Sequence, residues 1–290
     1  MGEIHSRLRA AAAAAVLLLA TAACGQTQAP ASAGRQDPGI GHIHGLGVDP
    51  ADGAIYVAGH YGLFRVRSDG AADRVADRIQ DYMGFTVVGP RTFLASGHPA
   101  ADSPGESPHL GLIRTTDSGR TWTTVSEEGV ADFHTLHVAG DTIYAFDTQS
   151  GRLRRSADGG QSWIPGAEEP MIDLAVSTDD LTRVHATTPQ GLKVSGDGGM
   201  EFKKVANAPL LTHIDYPAGD VLIGPDTNGQ IHTSRDGGRT WEGGGKLPGP
   251  AAAFTAVDAR RLLTATEDGA VLESRDGGES FTVIFTPAHD

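Results

Sequence analysis

The stretch "SRDGGRTW" at residues 234–241 decides the fold, because four other parts of the chain repeat its pattern. The other copies are "TTDSGRTW" (115–122), "SADGGQSW" (156–163), "SGDGGMEF" (195–202) and "SRDGGESF" (274–281). Neighbouring copies start 39 to 41 residues apart, and each follows a glycine and a short strand-like segment. A period near 40 residues with strand and turn signals is typical of a propeller or a solenoid.

Every copy carries the residues of a tight turn followed by an aromatic side chain. Asp can accept hydrogen bonds from nearby backbone N–H groups, Gly permits a positive φ, and Ser or Thr can add a local bond. All three tryptophans of the chain end such a copy, and we expect them to pack between neighbouring sheets. We therefore assign a structural role, and no catalytic one, to Asp117, Asp158, Asp197, Asp236 and Asp276.

Four strands are predicted in each repeat, and the repeated turn joins the third strand to the fourth. A sixth stretch, "RSDGAADR" (67–74), keeps only the Asp-Gly pair of this turn. We therefore predict an all-β fold over residues 42–286, a six-bladed β-propeller of four-stranded antiparallel blades. The predicted blades are residues 42–80, 81–128, 131–168, 170–208, 210–248 and 251–286.

The repeats resemble Asp-box, or BNR, repeats, and the resemblance covers essentially the whole predicted propeller. Sialidases, other glycoside hydrolases, sortilin-type receptors and photosystem II assembly factors carry repeats of this kind. The resemblance implies a sialidase-like β-propeller of the type found in bacterial lipoproteins labelled BNR glycosyl hydrolases. Because the activities of these families differ, the resemblance does not imply a single function.

The first 24 residues have the pattern of a secretory signal. Arg7 and Arg9 precede an apolar run at 10–23, which is too short to span a bilayer as a helix. The segment "LLLATAAC" (17–24) resembles a bacterial lipoprotein signal, in which the cysteine is lipidated and becomes the mature N-terminus. We predict that Cys24, the single cysteine, carries this lipid. Ordinary cleavage just before it, which would leave a free thiol, is the alternative.

Residues 25–41 are polar and rich in Pro, Gly, Ala and Gln, and we predict that they form a flexible tether. The protein is then secreted across the cytoplasmic membrane and lipid-anchored at the cell envelope. Its net charge of −13 disfavours nucleic acid as a partner, because no basic surface can replace the counterions of phosphate. The expected partners are the membrane, through the lipid, and an envelope protein or a glycan; we expect a monomer.

The first strand of each blade lines the channel of a propeller, so equivalent positions of the six strands form a ring. Aligned on their apolar positions, these strands place at one height His44, Met83, His134, Ile172, His213 and Phe254. The level above holds His42, Asp81, Asp132, Pro170, Leu211 and Ala252. The ends of the second strands reach the same face and carry His60, His98, Asp147, Asp226 and Glu267.

Imidazoles and a thioether suit a soft or borderline metal, so we predict a metal site with copper favoured and zinc behind it. Its predicted ligands are His42, His44, Met83, His134 and His213, with His60 and His98 nearby. The insertion at 98–109 extends from the same face and could act as a lid with a histidine at each end. The plainer interpretation, that these side chains only line a wet channel, stays open.

Three functions fit the sequence. The first is a non-catalytic, membrane-tethered propeller that binds a metal ion or a partner. The second is a glycoside hydrolase of sialidase-like fold, in which Asp81 and Asp132 would flank the scissile bond. The third is a protein-binding scaffold comparable to the assembly factors. A true sialidase is disfavoured, because the chain lacks an Arg-Ile-Pro motif near its first blade and has no arginine in the six first strands.

Overall fold

Six four-stranded antiparallel sheets form the computed structural model, which describes residues 37–101, 103, 105 and 107–287. Each sheet is built from four strands that are consecutive in the sequence. The structure therefore confirms the predicted all-β, six-bladed propeller. The predicted signal, Cys24 and most of the predicted tether lie outside the described residues.

The first three blades contain strands β1 to β12, numbered in chain order. The strands of blade 1 are β1 Ile43–Val48, β2 Ile55–Gly59, β3 Gly62–Val66 and β4 Ala72–Arg74. The strands of blade 2 are β5 Asp81–Gly89, β6 Thr92–His98, β7 Leu112–Thr115 and β8 Thr123–Ser126. The strands of blade 3 are β9 Phe133–Ala139, β10 Thr142–Asp147, β11 Arg152–Ser156 and β12 Ile164–Glu168.

The last three blades contain strands β13 to β24. The strands of blade 4 are β13 Asp173–Val176, β14 Val184–Thr188, β15 Gly191–Ser195 and β16 Lys203–Lys204. The strands of blade 5 are β17 Asp215–Ala218, β18 Val221–Pro225, β19 Gln230–Ser234 and β20 Glu242–Lys246. The strands of blade 6 are β21 Ala251–Ala256, β22 Leu262–Thr266, β23 Val271–Ser274 and β24 Thr282–Phe285. A single turn of 3₁₀ helix, Val75–Asp77, follows blade 1.

The ring closes by side-chain packing between blades 1 and 6. β1 contacts β5 on one side and β21 on the other, and each blade is made of its own four strands. One core cluster joins Leu46 and Val57 of blade 1 to Leu263 of blade 6. Ile40, near the end of the predicted tether, is buried in the same cluster, and its carbonyl accepts a hydrogen bond from Tyr61 N (3.2 Å). Contacts with blade 1 therefore begin before residue 42.

Hydrogen bonds within the five repeated octapeptides, which we call the repeat turns, link the third strand of a blade to the fourth. In the turn at 234–241, Ser234 Oγ donates to Asp236 Oδ1 (2.8 Å) and accepts a bond from Gly238 N (2.8 Å). Asp236 also accepts bonds from the Thr240 backbone N–H and hydroxyl (2.9 and 2.7 Å). These Thr240 donors, backbone first, lower the pKa of Asp236 to about 2. The carboxylate is thus held ionised at the surface.

The aromatic residue that ends each repeat turn packs at the boundary with the preceding blade. Trp163 lies 4.7 Å from Phe133 between ring centroids, in a cluster that also contains Leu112 of blade 2. Its indole N–H donates to Ser126 Oγ of blade 2 (3.0 Å). Trp122, Phe202, Trp241 and Phe281 pack at the other boundaries. The predicted packing of these aromatic residues between neighbouring sheets is therefore observed.

The last glycine of a repeat turn is constrained both by its backbone and by the neighbouring blade. Gly199 has φ +90°, and a Cβ there would overlap Leu153 Cδ2 of blade 3. A left-handed backbone costs a residue with a Cβ about 1–2 kcal/mol. Gly196 lies in the same turn outside the left-handed region and has open space around its Cβ position, so it offers a matched control.

We expect Gly199→Ala to lower the free energy of unfolding by about 1–3 kcal/mol, because backbone strain and the Leu153 contact add. Gly196→Ala is expected to change it by less than about 0.5 kcal/mol. Chemical denaturation followed by tryptophan fluorescence measures both variants. Equal stabilities of the two variants would contradict the close packing of the turn against blade 3.

Candidate functional site

A cavity of about 430 Å³ lies in the channel at the centre of the six blades and is lined by residues from every innermost strand. Four of these strands contain an extra, unpaired residue near their start, a β-bulge. The extra residues are His44, Met83, His134 and Ala252. A bulge bends its strand and redirects a side chain, and bulges are common beside functional sites. All four residues line the cavity.

The predicted alignment of the innermost strands is wrong in blades 5 and 6. In blade 4 the backbone N–H of Ile172 donates to Thr187 O (2.8 Å), and in blade 5 the N–H of Thr212 makes the same kind of bond to Pro225 O (2.9 Å). Thr212, rather than His213, therefore occupies the equivalent position in blade 5. In blade 6 this position holds Ala252 rather than Phe254. An apolar pattern does not reveal where a strand carries an extra residue, which explains both shifts. His213 and Phe254 still line the cavity, at other heights.

Three imidazoles of blade 1 come together at the mouth of the channel. His42 and His44 lie at the start of β1, and His60 follows the end of β2. One nitrogen of each ring lies within 4.8 Å of a nitrogen of the other two. The His44 ring centroid is 4.8 Å from that of His42 and 4.7 Å from that of His60. We call these three residues the first cluster.

His44 is the most enclosed member of the first cluster. Its Nε2 is buried and has no hydrogen-bond partner among the described residues. Burial, reinforced by the charges of His60 and His42, lowers the pKa of His44 to about 4. The ring is therefore neutral at physiological pH, and a neutral imidazole nitrogen is the form that binds a metal ion.

The outer two imidazoles of the first cluster each face a carboxylate. His60 Nδ1 lies 3.1 Å from Asp81 Oδ1 of blade 2. His42 Nε2 lies 3.3 Å from Glu267 Oε2 of blade 6. Hydrogen bonds from a histidine to a carboxylate fix the tautomer and leave the other ring nitrogen free as a ligand. The first cluster is thus positioned by both neighbouring blades.

A second group, which we call the second cluster, joins His98 and His109 to Asp132. Its ligand atoms also lie within 4.8 Å of one another. His98 Nε2 is 3.5 Å from Asp132 Oδ2, while His98 Nδ1 is 3.3 Å from Asp81 Oδ2. Asp81 therefore lies between the two clusters, with one oxygen near a histidine of each.

Asp132 is almost fully buried yet ionised. Burial opposes its ionisation, but hydrogen bonds from His134 Nε2 and Thr148 Oγ1 (both 2.9 Å) and the charge of His134 outweigh it and lower the pKa to about 2. Both bonds go to Oδ2. Asp132 Oδ1 has no partner in the described part of the chain.

The structure brings together part of the predicted ligand set. His42 and His44 join His60, which the sequence placed only nearby. Met83 and His213 line the cavity but belong to neither cluster, and His134 bonds to Asp132. Neighbouring strands of one blade lie about 4.8 Å apart, which brings their ends within reach of one ion. Positions on opposite blades are separated by the width of the channel.

Two cluster members were not among the predicted ligands or their neighbours: His109, and Asp132, which the sequence proposed only as an alternative catalytic carboxylate. The only signal for His109 was its place at the far end of the 98–109 insertion. Leu110 N donates to Gly97 O (2.9 Å), which returns the chain to β6 beside His98. His137 and His185 belong to neither cluster, although His137 lines the cavity.

The two carboxylates considered for glycoside hydrolysis, Asp81 and Asp132, lie on either side of His98. A general acid of a glycosidase needs a raised pKa, whereas the pKa of Asp132 is lowered. No arginine is among the described residues that line the channel, which leaves no guanidinium to hold a substrate carboxylate there.

Within the described chain, no helix has both the length and the apolar character needed to span a membrane.

Several solved propellers share the fold. YCF48 bound to a D1 peptide matches 86% of this chain and 84% of its own at 17% identity, with a TM-score of 0.52. A gluconolactonase from Xanthomonas campestris matches 83% and 85% at 16% identity, with a TM-score of 0.61. A GH74 xyloglucanase from the same organism matches 84% of this chain but only 45% of its own, at 18% identity and a TM-score of 0.54.

At these identities the similarity shows the fold alone. The similar propellers include enzymes and a peptide-bound protein, so they do not select one activity. No protein-family model matches the sequence, and no curated protein is detectably similar to it. The choice of function therefore depends on the residues of the site.

Carboxylates of two innermost strands link neighbouring blades on the far side of the channel. Asp173 Oδ2 of blade 4 accepts a bond from Ile214 N (3.0 Å), and Asp215 Oδ2 of blade 5 accepts one from Ala256 N (2.8 Å). Burial raises the pKa of Asp173 to about 7, with a further contribution from the charge of Asp215. Backbone donors at Ile214 and Leu174 act in the opposite direction.

We expect Asp173 to make the protein less stable as pH rises from about 4 to about 7. The folded state holds this proton above the unfolded pKa of 3.8, so the stabilisation is present at low pH and is lost as the pH approaches 7. Asp173 contributes at most about 1.4 kcal/mol of this decrease per pH unit. Denaturation of the wild type and Asp173→Asn across this range measures the difference. A difference that does not change with pH would contradict the raised pKa.

Proposed function

We propose that this protein is a non-catalytic, membrane-tethered binding propeller outside the cytoplasm, and that its first cluster holds a transition-metal ion. The observation that carries the proposal is His44 Nε2, a buried nitrogen without a partner in the described chain, in a group of three imidazoles. An unpaired buried polar atom costs about 1–3 kcal/mol. A bound metal ion would remove this cost.

The spacing of the first cluster suits a metal ion after small side-chain rotations. Metal–nitrogen bonds of about 2.0–2.1 Å put two ligands of a tetrahedral ion about 3.3 Å apart. The nitrogens of His42, His44 and His60 lie within 4.8 Å of one another, so rotations of the more exposed His42 and His60 rings can close the difference. Three imidazole ligands suit copper first and zinc second, following the usual order of affinity.

Asp81 and Glu267 would orient the outer ligands. With a proton on His60 Nδ1 donated to Asp81, Nε2 becomes the ligand atom; with a proton on His42 Nε2 donated to Glu267, Nδ1 does. The two carboxylates also add negative charge close to the cation. Loss of such outer partners typically weakens metal binding about 10–100-fold.

The cellular setting of the proposal depends on the N-terminal residues. The signal pattern at 1–24 and the cysteine at its end support export and lipidation at Cys24, with residues 25–41 as the tether. The five repeat turns support classification of the propeller among Asp-box proteins, since each has the Ser or Thr, Asp and Gly of that motif.

A protein-binding scaffold is the second candidate, because the similar propeller YCF48 carries a bound peptide. In that case a partner would dock on the face that carries both clusters. A glycoside hydrolase using Asp81 and Asp132 is less well supported, because Asp132 is buried and its pKa is lowered. Fluorogenic glycosides provide the direct test of that activity.

The wild type and the His44→Ala variant are both purified without a metal-binding tag and incubated with Cu²⁺ or Zn²⁺. We expect the His44→Ala variant to bind one ion per chain fewer than the wild type. His60→Gln should weaken binding by more than the roughly 100-fold loss typical of an outer partner. Elemental analysis after dialysis counts the ions, and titration calorimetry measures affinity. Unfolding curves confirm that the variants are folded.

His213→Ala is the matched control, because it also removes an imidazole that lines the channel. It should keep the ion, since His213 belongs to neither cluster. The same metal content in the wild type and His44→Ala would contradict the proposal. Loss of metal in His213→Ala alone would favour the ring of ligands across blades instead.

A further inference from the structure

We infer that the second cluster, His98, His109 and Asp132, is a second metal site that shares the carboxylate of Asp81 with the first. The site stands on its own residues, and only its link through Asp81 rests on the proposed function. Its donors are two imidazoles and one carboxylate. That set is typical of zinc sites that keep a fourth position for water.

Two atoms of the second cluster are buried without a partner in the described ranges. Asp132 is 3% exposed, and its Oδ1 accepts no hydrogen bond although its Oδ2 accepts two. His109 Nδ1 is likewise buried and unpaired. Native proteins rarely leave an ionised carboxylate oxygen and an imidazole nitrogen unsatisfied in one place. A cation bound by His109 Nδ1 and Asp132 Oδ1 would satisfy both atoms.

The geometry at His98 matches the spacing of two ligands of one ion. His98 Nδ1 is directed to Asp81, which leaves Nε2 at 3.5 Å from Asp132 Oδ2. Two ligands at about 2.1 Å from a tetrahedral ion lie about 3.4 Å apart. The imidazole and the carboxylate are therefore already at the separation that a zinc ion requires.

The backbone holds the three ligands on two blades. His98 ends β6 of blade 2, and His109 is fixed where its carbonyl accepts a bond from Gly129 N (2.8 Å). Asp132 precedes β9 of blade 3, where its carbonyl accepts a bond from Thr148 N (3.0 Å). An ion at this site would join blade 2 to blade 3 and tie together the two ends of the 98–109 insertion.

Asp81 connects the second cluster to the first. Its Oδ1 faces His60 at 3.1 Å and its Oδ2 faces His98 at 3.3 Å, so one carboxylate positions a ligand of each ion. It acts here as a positioning residue. Its removal should weaken both sites together, whereas removal of a ligand should empty only one site.

The test is a count of Zn²⁺ ions in the full protein and in single variants. We expect two ions per chain in the wild type, one in His109→Ala and one in His44→Ala. Asp81→Asn should retain both sites with affinities about 10–100-fold lower at each, measured by titration calorimetry at unchanged thermal stability. His232→Ala, whose imidazole bonds to Asp226 away from both clusters, is the control and should bind two ions.

Co²⁺ provides a second readout, because a tetrahedral site gives visible absorption bands that His109→Ala should reduce and His232→Ala should leave unchanged. Two ions in both the wild type and His109→Ala would overturn the inference. A single ion in the wild type that is lost in His44→Ala and kept in His109→Ala would also overturn the inference. That result would support the first site. One ion lost only in His109→Ala would support the second site and contradict the proposed function.

Discussion

The hydrogen bonds of the repeat turns are the constraint on which the rest of the structure depends. In each turn the Ser or Thr hydroxyl and the Asp carboxylate satisfy the backbone of a tight connection, which allows the following aromatic side chain to pack on the preceding blade. These turns lie at the end of the third strands, opposite the start of the innermost strands. One face therefore carries the structural turns, and the other is free to collect polar side chains.

The clustered histidines and carboxylates of the free face lie on blades 1 to 3 rather than all round the ring. His42, His44 and His60 meet within one blade, and Asp81 continues the network to His98 of the next. His44 Nε2 and Asp132 Oδ1 are buried atoms without a hydrogen-bond partner in the described chain, and such atoms lower stability unless a ligand satisfies them. This concentration of unsatisfied atoms is the physical reason for proposing metal ions there.

The repeat period and the turn residues were sufficient to predict the number of blades, their strands and the two faces, because each is a local property of about 40 residues. Most residues of the candidate site were also singled out from the sequence, but His109 was not, and the grouping was not predicted. The apolar pattern gave no sign that Thr212 and Ala252, rather than His213 and Phe254, lie at the height of His44 and Met83. The partnership of His98 with His109 depends on how the insertion returns to its blade, a tertiary property.

Crystals soaked in Zn²⁺ and measured on both sides of the zinc absorption edge test the central claim most directly. An anomalous peak within bonding distance of His42, His44 and His60, about 2.0–2.1 Å from one nitrogen of each ring, is the result that the proposed site predicts. Density that shows all three rings in place, with no peak between them at saturating Zn²⁺, would contradict it. The three imidazoles would then be the polar lining of a binding surface.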